Sequence, residues 1–280
     1  MMAKFIDTSK RAVVALVCSI ACFLVSESAS AQVAVVSSTV DERVSAPGER
    51  YTGSILLRNT SAEPQEVKLY AADYSFHANG KTAYAAAGTT PRSNARWVTL
   101  QTTSLVLPAH GDGAVTYTVV VPEGSDLTGT YWCMLMVETL PQGSQEASLQ
   151  STRPERTEVG LRSAVRYGIQ VATHFPESGS RTIDLAHATV VEQNGGTRSL
   201  QFDVVNTGER AYRPVLVTEL YGESGQLAAR LESTRGLVYP GSSVQQSFTL
   251  PTLRRGSYKV LIIADTGAEQ LFAAQYRMKF

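Results

Sequence analysis

Four histidines, His77, His110, His174 and His187, come first in a search for chemistry, because imidazole both ligates metals and moves protons near neutral pH. They are isolated in the chain, with no H-x-x-x-H pair and no Cys/His spacing of the zinc type. Ser224 lies in "GESG", one residue short of a G-x-S-x-G elbow, and the segment reads as a hairpin turn. "FHANGKT" (76–82) places Asn-Gly between β-rich runs, which predicts a tight turn rather than a phosphate loop. Asp73, Asp112, Asp126 and Asp203 are scattered near turn or strand ends, without calcium-loop spacing. Asn59-Thr60-Ser61 is formally a glycosylation sequon at a strand end. None of these patterns makes an active site, so the chain reads as a non-enzymatic protein with no cofactor and no metal.

The elements that carry these residues begin after a leader. Lys4, Lys10 and Arg11 precede the apolar stretch "AVVALVCSIACFLV" (12–25), and "SESASA" then ends in Ala29-Ser30-Ala31. A basic start, an apolar centre and an A-x-A exit make residues 1–31 a secretory signal peptide, cut before Gln32. The 14-residue stretch is shorter than the ~20 residues of a membrane span. A lipoprotein alternative at Cys22 lacks the usual leucine three residues earlier. Cleavage predicts a periplasmic or extracellular protein with no membrane insertion. It also leaves 22 basic against 23 acidic residues, a balance with no general pull toward nucleic acid. Cys18 and Cys22 leave with the leader. Cys133, in "GTYWCMLMVE" (129–138), is then the single cysteine and reads as a small buried hydrophobe.

After residue 32 almost every stretch is a short β-rich run between turn formers. "YTGSILLRNTS" (51–61), "EVKLYAADY" (66–74), "SLVLP" (104–108) and "AVTYTVVVP" (114–122) alternate apolar with polar residues, which predicts antiparallel sheets with one face inward. The pattern then recurs. "LLRNTS", "LPAHGDGAVTYTVVVP" and "GTYWCMLMVE" are followed in the same order by "FDVVNTGE" (202–209), "YPGSSVQQSFTLP" (239–251) and "GSYKVLIIAD" (256–265). Each series runs strand, Asn-Thr turn, proline-marked turn, alternating strand and a G-x-Y step into another strand. That is one all-β unit written twice, with Val260 in the place of Cys133. Strands of this number and spacing predict two immunoglobulin-like β-sandwich domains in tandem, with Tyr131 and Tyr258 each sending a hydroxyl to nearby backbone.

One segment breaks the pattern. "PQGSQEASLQSTRPERTE" (141–158) has almost no large apolar residue and reads as a mobile loop, because it has too little to bury. "VGLRSAVRYGIQVATHF" (159–175) then alternates, with Leu161, Val165, Tyr167, Ile169, Val171 and Phe175 on one side. Arg162, Arg166, Gln170 and His174 lie on the other. The expected layout is a first domain over 32–175 that closes with this strand, a linker over 176–181, and a second domain over 182–280.

With these features the chain resembles the PapD-type periplasmic pilus chaperones: two immunoglobulin-like domains behind a signal peptide, with a long loop before the first domain's alternating last strand. The resemblance implies that strand 159–175 lends alternate apolar side chains to an exported pilus or surface subunit by β-strand addition. On that basis Val165, Tyr167, Ile169 and Val171 are the central partner contacts, with Arg166 beside them. The family also holds the subunit's C-terminal carboxylate with a basic pair in the interdomain cleft, one from the first strand and one from the last. Arg166 or Arg162 fits the second member, whereas "VAVVSSTV" (33–40) holds no basic residue, so the pair is left unassigned. The alternative is an extracellular or cell-envelope scaffold, in which the same strand simply completes its own domain.

Overall fold

Alternation in the sequence becomes alternation in exposure. In a strand that buries one face, every second side chain enters the core, and Arg50–Asn59 does so with Ile55, Leu57 and Asn59 buried and the residues between them exposed. The computed structural model describes residues 32–124, 126–140, 165–175, 178–193, 195–267 and 270–280. The leader 1–31, the loop 141–158, the strand start 159–164 and part of the 176–181 segment lie outside them.

Strands are numbered in chain order. In the first sandwich one sheet runs β1 (Val33–Val35), β3 (Arg50–Asn59), β8 (Asp112–Val120), β6 (Val98–Leu100). The facing sheet runs β2 (Val40–Val44), β10 (Arg166–His174), β9 (Thr130–Thr139), β4 (Gln65–Phe76), β5 (Thr82–Ala86), and β7 (Ser104–Leu107) also pairs with β4. The second sandwich packs β11 (Ile183–Glu192), β12 (Arg198–Asn206) and β15 (Ser243–Thr249) against a second sheet. That sheet runs β14 (Leu227–Thr234), β13 (Val215–Tyr221), β16 (Ser257–Asp265), β17 (Leu271–Lys279). Strand pairing is antiparallel except for β2, which lies parallel to β10. One 3-10 turn, Ala95–Trp97, is the helical element among the described residues.

Two separate cores hold these layers. The first is built on Ile55, Leu57, Leu69, Val115 and Leu135, and the second on Leu200, Phe202, Leu216 and Ile262. Full burial of each such aliphatic side chain contributes about 1.5–3 kcal/mol. Cys133 and Val260 are both wholly buried, one in each core, and the lone thiol is free. Burial pushes that thiol's pKa up, so it is held protonated and unreactive.

The repeated Asn-Thr turn has a physical job. Asn59 and Asn206 end equivalent strands, and both are buried. The Nδ2 of Asn59 donates to the carbonyls of Glu63 (2.7 Å) and Pro108 (2.8 Å), while its Oδ1 accepts from the Ser61 N–H (2.9 Å). The Nδ2 of Asn206 donates to the carbonyls of Arg210 (2.6 Å) and Val238 (2.8 Å), and its Oδ1 accepts from the Gly208 N–H (3.0 Å). Each asparagine thus closes its own turn and ties it to the proline-marked turn. The same bonds consume the Asn59 amide, so the sequon is structural. His110 takes a left-handed conformation (φ 53°) in the first proline-marked turn, where the second has Gly241 (φ 72°).

The tyrosines differ between the copies. Tyr258 Oη donates to the Arg254 carbonyl at 3.1 Å, as expected. Tyr131 departs from the expectation: its ring lies 4.9 Å from Trp97 and 5.7 Å from Phe175, with the Arg92 guanidinium 5.4 Å from its centroid. Tilted and edge-to-face ring contacts there take the place of a backbone hydroxyl bond.

Candidate functional site: an open strand flank and an arginine-lined cleft

The strand that broke the sequence pattern, β10, has unlike ends. Along one flank β9 pairs with it throughout, from Arg166 opposite Glu138 to His174 opposite Thr130. Along the other flank β2 covers only Gln170–His174. The cause is a switch in the first strand, which pairs with β3 as β1, crosses over at 36–39 and joins the facing sheet as β2. The Gln170 N–H, on the β2 side, donates to Thr39 O at 2.8 Å. Alternation sends the backbone groups of Arg166 and Gly168 to that same side, where no strand pairs with them among the described residues.

The side chains expected to meet a partner are distributed by the same alternation. Ile169 (2% exposed) and Val171 (0%) lie in the first core, and Tyr167 packs against it. They point inward because that face of β10 must fill the gap between the two sheets. Val165 is half-buried at the strand entrance, where its carbonyl accepts from the Thr139 N–H at 3.2 Å. Arg166 is exposed and ion-paired to Glu138 at 2.9 Å. At Gly168 a Cβ would lie 2.6 Å from the Met134 sulfur, so any side chain there would have to push the methionine aside. Met134, Met136 and Ala72 form a small apolar layer there on the outer face of the sheet.

At the far end of β10 a cleft of about 370 Å³ opens where the two sandwiches meet. Glu42, Thr130 and His174 line it from the first sandwich, and Arg181, Arg210, Tyr212 and Arg213 from the connecting segment and the second. Arg213 grips Glu42 with both terminal nitrogens. This hydrogen-bonded pairing holds the Glu42 carboxyl below its ordinary range despite burial. Tyr212 is 7% exposed, and its buried hydroxyl has no hydrogen-bond partner. Three arginines line the cleft with one carboxylate, which Arg213 already pairs, so Arg181 and Arg210 leave it with an excess of positive charge suited to an anionic oxygen group.

Around the cleft the two sandwiches are clamped. Trp132 stacks on Tyr239 with centroids 4.8 Å apart and planes 10° from parallel, and Tyr239 Oη donates to Gln170 Oε1 at 3.1 Å. Glu209 accepts from the Arg92 guanidinium and from the Ser180 N–H (2.8 Å), and its carbonyl takes the Thr130 N–H at 2.8 Å. The chains approach so closely that a Cβ on Gly129 would lie 2.1 Å from the Glu209 carbonyl oxygen. Val33–Phe280 accordingly packs as one compact unit.

Glu42, Arg210, Tyr212 and Arg213 do not stand out in the sequence as site residues. The first strand, expected to end at residue 40, resumes as β2 and carries a basic residue, Arg43, ion-paired to Asp41 at 2.9 Å. A signal was present: the second Asn-Thr turn leads into "GERAYR" (208–213), whereas the first leads into the uncharged-to-acidic "SAEPQE" (61–66). The scattered histidines stay apart. His77, His110 and His187 are exposed in turns or at a bulge, and among the described residues no three metal-binding side chains cluster.

No protein-family description matches the chain. No curated protein matches it either. Among solved structures it is similar to the class 5 fimbriae chaperone CfaA, at 12% identity over 87% of this chain and 98% of that one, with a TM-score of 0.46. It is similar to the YadV chaperone at 12% identity, over 89% of this chain and 100% of that one, with a TM-score of 0.43. A third likeness is to the CsuC–CsuE chaperone–tip adhesion subunit pre-assembly complex of Acinetobacter baumannii. It stands at 12% identity, over 88% of this chain and 98% of that one, with a TM-score of 0.41.

Proposed function

We propose that this protein is an exported, non-enzymatic assembly chaperone of the periplasm that holds a pilus-like or surface subunit by β-strand addition along β10. The observation that carries the reading is the half-covered flank of that strand: Arg166 and Gly168 offer backbone donors and acceptors that β2 stops short of reaching. Unpaired edge groups of this kind are completed by an incoming extended chain. Val165, Arg166 and Tyr167 stand at the accessible end, while Ile169 and Val171 fix the strand's position from inside the core. The arginine-lined cleft at the other end is placed to take an anionic terminus of the same partner.

The scaffold reading has its own support, since Ile169 and Val171 complete the first sandwich rather than project from it. A backbone block separates the two. Arg166→Pro removes one of the two N–H groups aimed at the open flank, the other being that of Gly168, and is tolerated at an edge position; Arg166→Ala truncates only the side chain. Both variants are to be co-expressed with exported subunits and assayed for complex formation and melting temperature. Strand addition predicts that the proline variant melts like the wild type but loses the complex, while the alanine variant keeps it. Undiminished complex formation with the proline variant overturns the chaperone reading.

A further inference from the structure

A hydrogen-bonded chain through His174 spans both sandwiches. His174 closes β10, with its side chain 21% exposed, Nδ1 3.0 Å from Thr130 Oγ1 and Nε2 3.6 Å from Glu42 Oε2. Thr130, itself 1% exposed, receives the Ala211 N–H of the second sandwich on Oγ1 at 3.0 Å. A hydroxyl that already accepts keeps one proton to give, and His174 Nδ1 lies within hydrogen-bond reach of it. With a neutral imidazole that carries its proton on Nε2, toward Glu42, every member of this chain has a partner. The groups facing it are Glu42 from β2, Thr130 from β9, Arg210 and Arg213 from the loop after the second Asn-Thr turn, and Arg181 from the connecting segment.

We propose that this chain is a proton-responsive latch between the two sandwiches, closed while His174 is neutral and loosened when His174 takes a proton. A proton on Nδ1 turns an acceptor into a donor. Thr130 Oγ1 must then accept from both Nδ1 and Ala211, and its own hydroxyl proton loses its buried acceptor. The new imidazolium also stands beside Arg210 and Arg213 and competes with Arg213 for Glu42. Burial, the largest influence, lowers the His174 pKa from 6.5, with Glu42 opposing and the arginines assisting. A lowered value means that the unlatched form binds the proton more readily. The latch's contribution is whole above pH 6.5 and is lost as pH falls through the latched value. The inference holds for the free protein and does not depend on the identity of any partner.

The test uses the full chain. Amide exchange at Ala211 is followed from pH 7.5 to 5, corrected for intrinsic exchange, alongside NMR titration of the imidazoles. Protection at Ala211 is expected to fall by up to about tenfold per pH unit between 6.5 and the latched midpoint, and to level off below it. His174→Gln, which stays neutral, is expected to flatten that profile. Protection that is independent of pH in the wild type overturns the latch, as does the same fall in His174→Gln. If the variant does not fold, the wild type still decides: an Ala211 profile that fails to track the His174 titration overturns the latch.

Discussion

The two sandwiches are copies that agree in their turns and disagree at their shared border. Asn59 and Asn206 make the same three-way bonding with the same side-chain atoms, and Cys133 and Val260 fill the same kind of buried site. After the turns the copies part. The second continues into Glu209, Arg210 and Arg213, which clamp and line the cleft, and the first continues into residues that stay within its own sandwich. Tyr258 is a local corner, whereas Tyr131 belongs to an aromatic group near the border. What is common to both copies makes the fold; what differs makes the cleft and the joint.

The sharpest way to break this comparison is to charge the strand that serves both fold and border. Ile169→Asp together with Val171→Asp places two carboxylates in the first core without counter-ions, and is expected to cost more than about 4 kcal/mol. The first sandwich should lose its cooperative thermal transition. A variant that stays folded would show that these side chains are free of the core.

The shared asparagine is next in size. Asn59→Ala and Asn206→Ala each remove two donated bonds and one accepted bond from a buried side chain that ties two turns together, for an expected loss of about 2 kcal/mol in denaturant unfolding. Near-equal losses sharpen the claim that the turns are one device used twice. A much smaller loss at either site would break the equivalence.

We further propose that the second copy folds alone. A fragment of residues 182–280 holds a complete core, with its own asparagine lock and tyrosine corner. It is expected to give a β-type circular dichroism spectrum. Without Trp132 to cover it, Tyr239 becomes solvent-accessible, and the fragment should melt a few degrees lower than the same sandwich in the full chain, about what 1 kcal/mol shifts. A disordered spectrum would show that the second copy depends on the first.

The smallest effect is reserved for the cysteine. Cys133→Val copies the second sandwich into the first and is expected to change stability by under about 1.5 kcal/mol. Native Cys133 should resist thiol reagents, because burial raises its pKa. Rapid labelling would place the residue at the surface and separate the copies at this position.

Much of the fold was legible because strand alternation and turn chemistry are local. A period of two, an Asn-Thr step and a Pro or Gly at a turn act within a few residues of themselves, and each appears in the structure where the sequence puts it. Alternation also showed that Tyr167, Ile169 and Val171 share a face. It did not show which way that face points, because a strand at a sheet edge and a strand in a core carry the same pattern. That choice was made by β2, which covers half of β10, and by the facing sheet, which takes the apolar side. The cleft was hidden for a related reason. Glu42, His174, Arg181 and Arg213 are far apart in the chain and have ordinary surface chemistry when each is read alone. Only the packing of one sandwich on the other brings their charges together, because electrostatic and hydrogen-bonding partners are set by distance in space rather than by separation along the sequence.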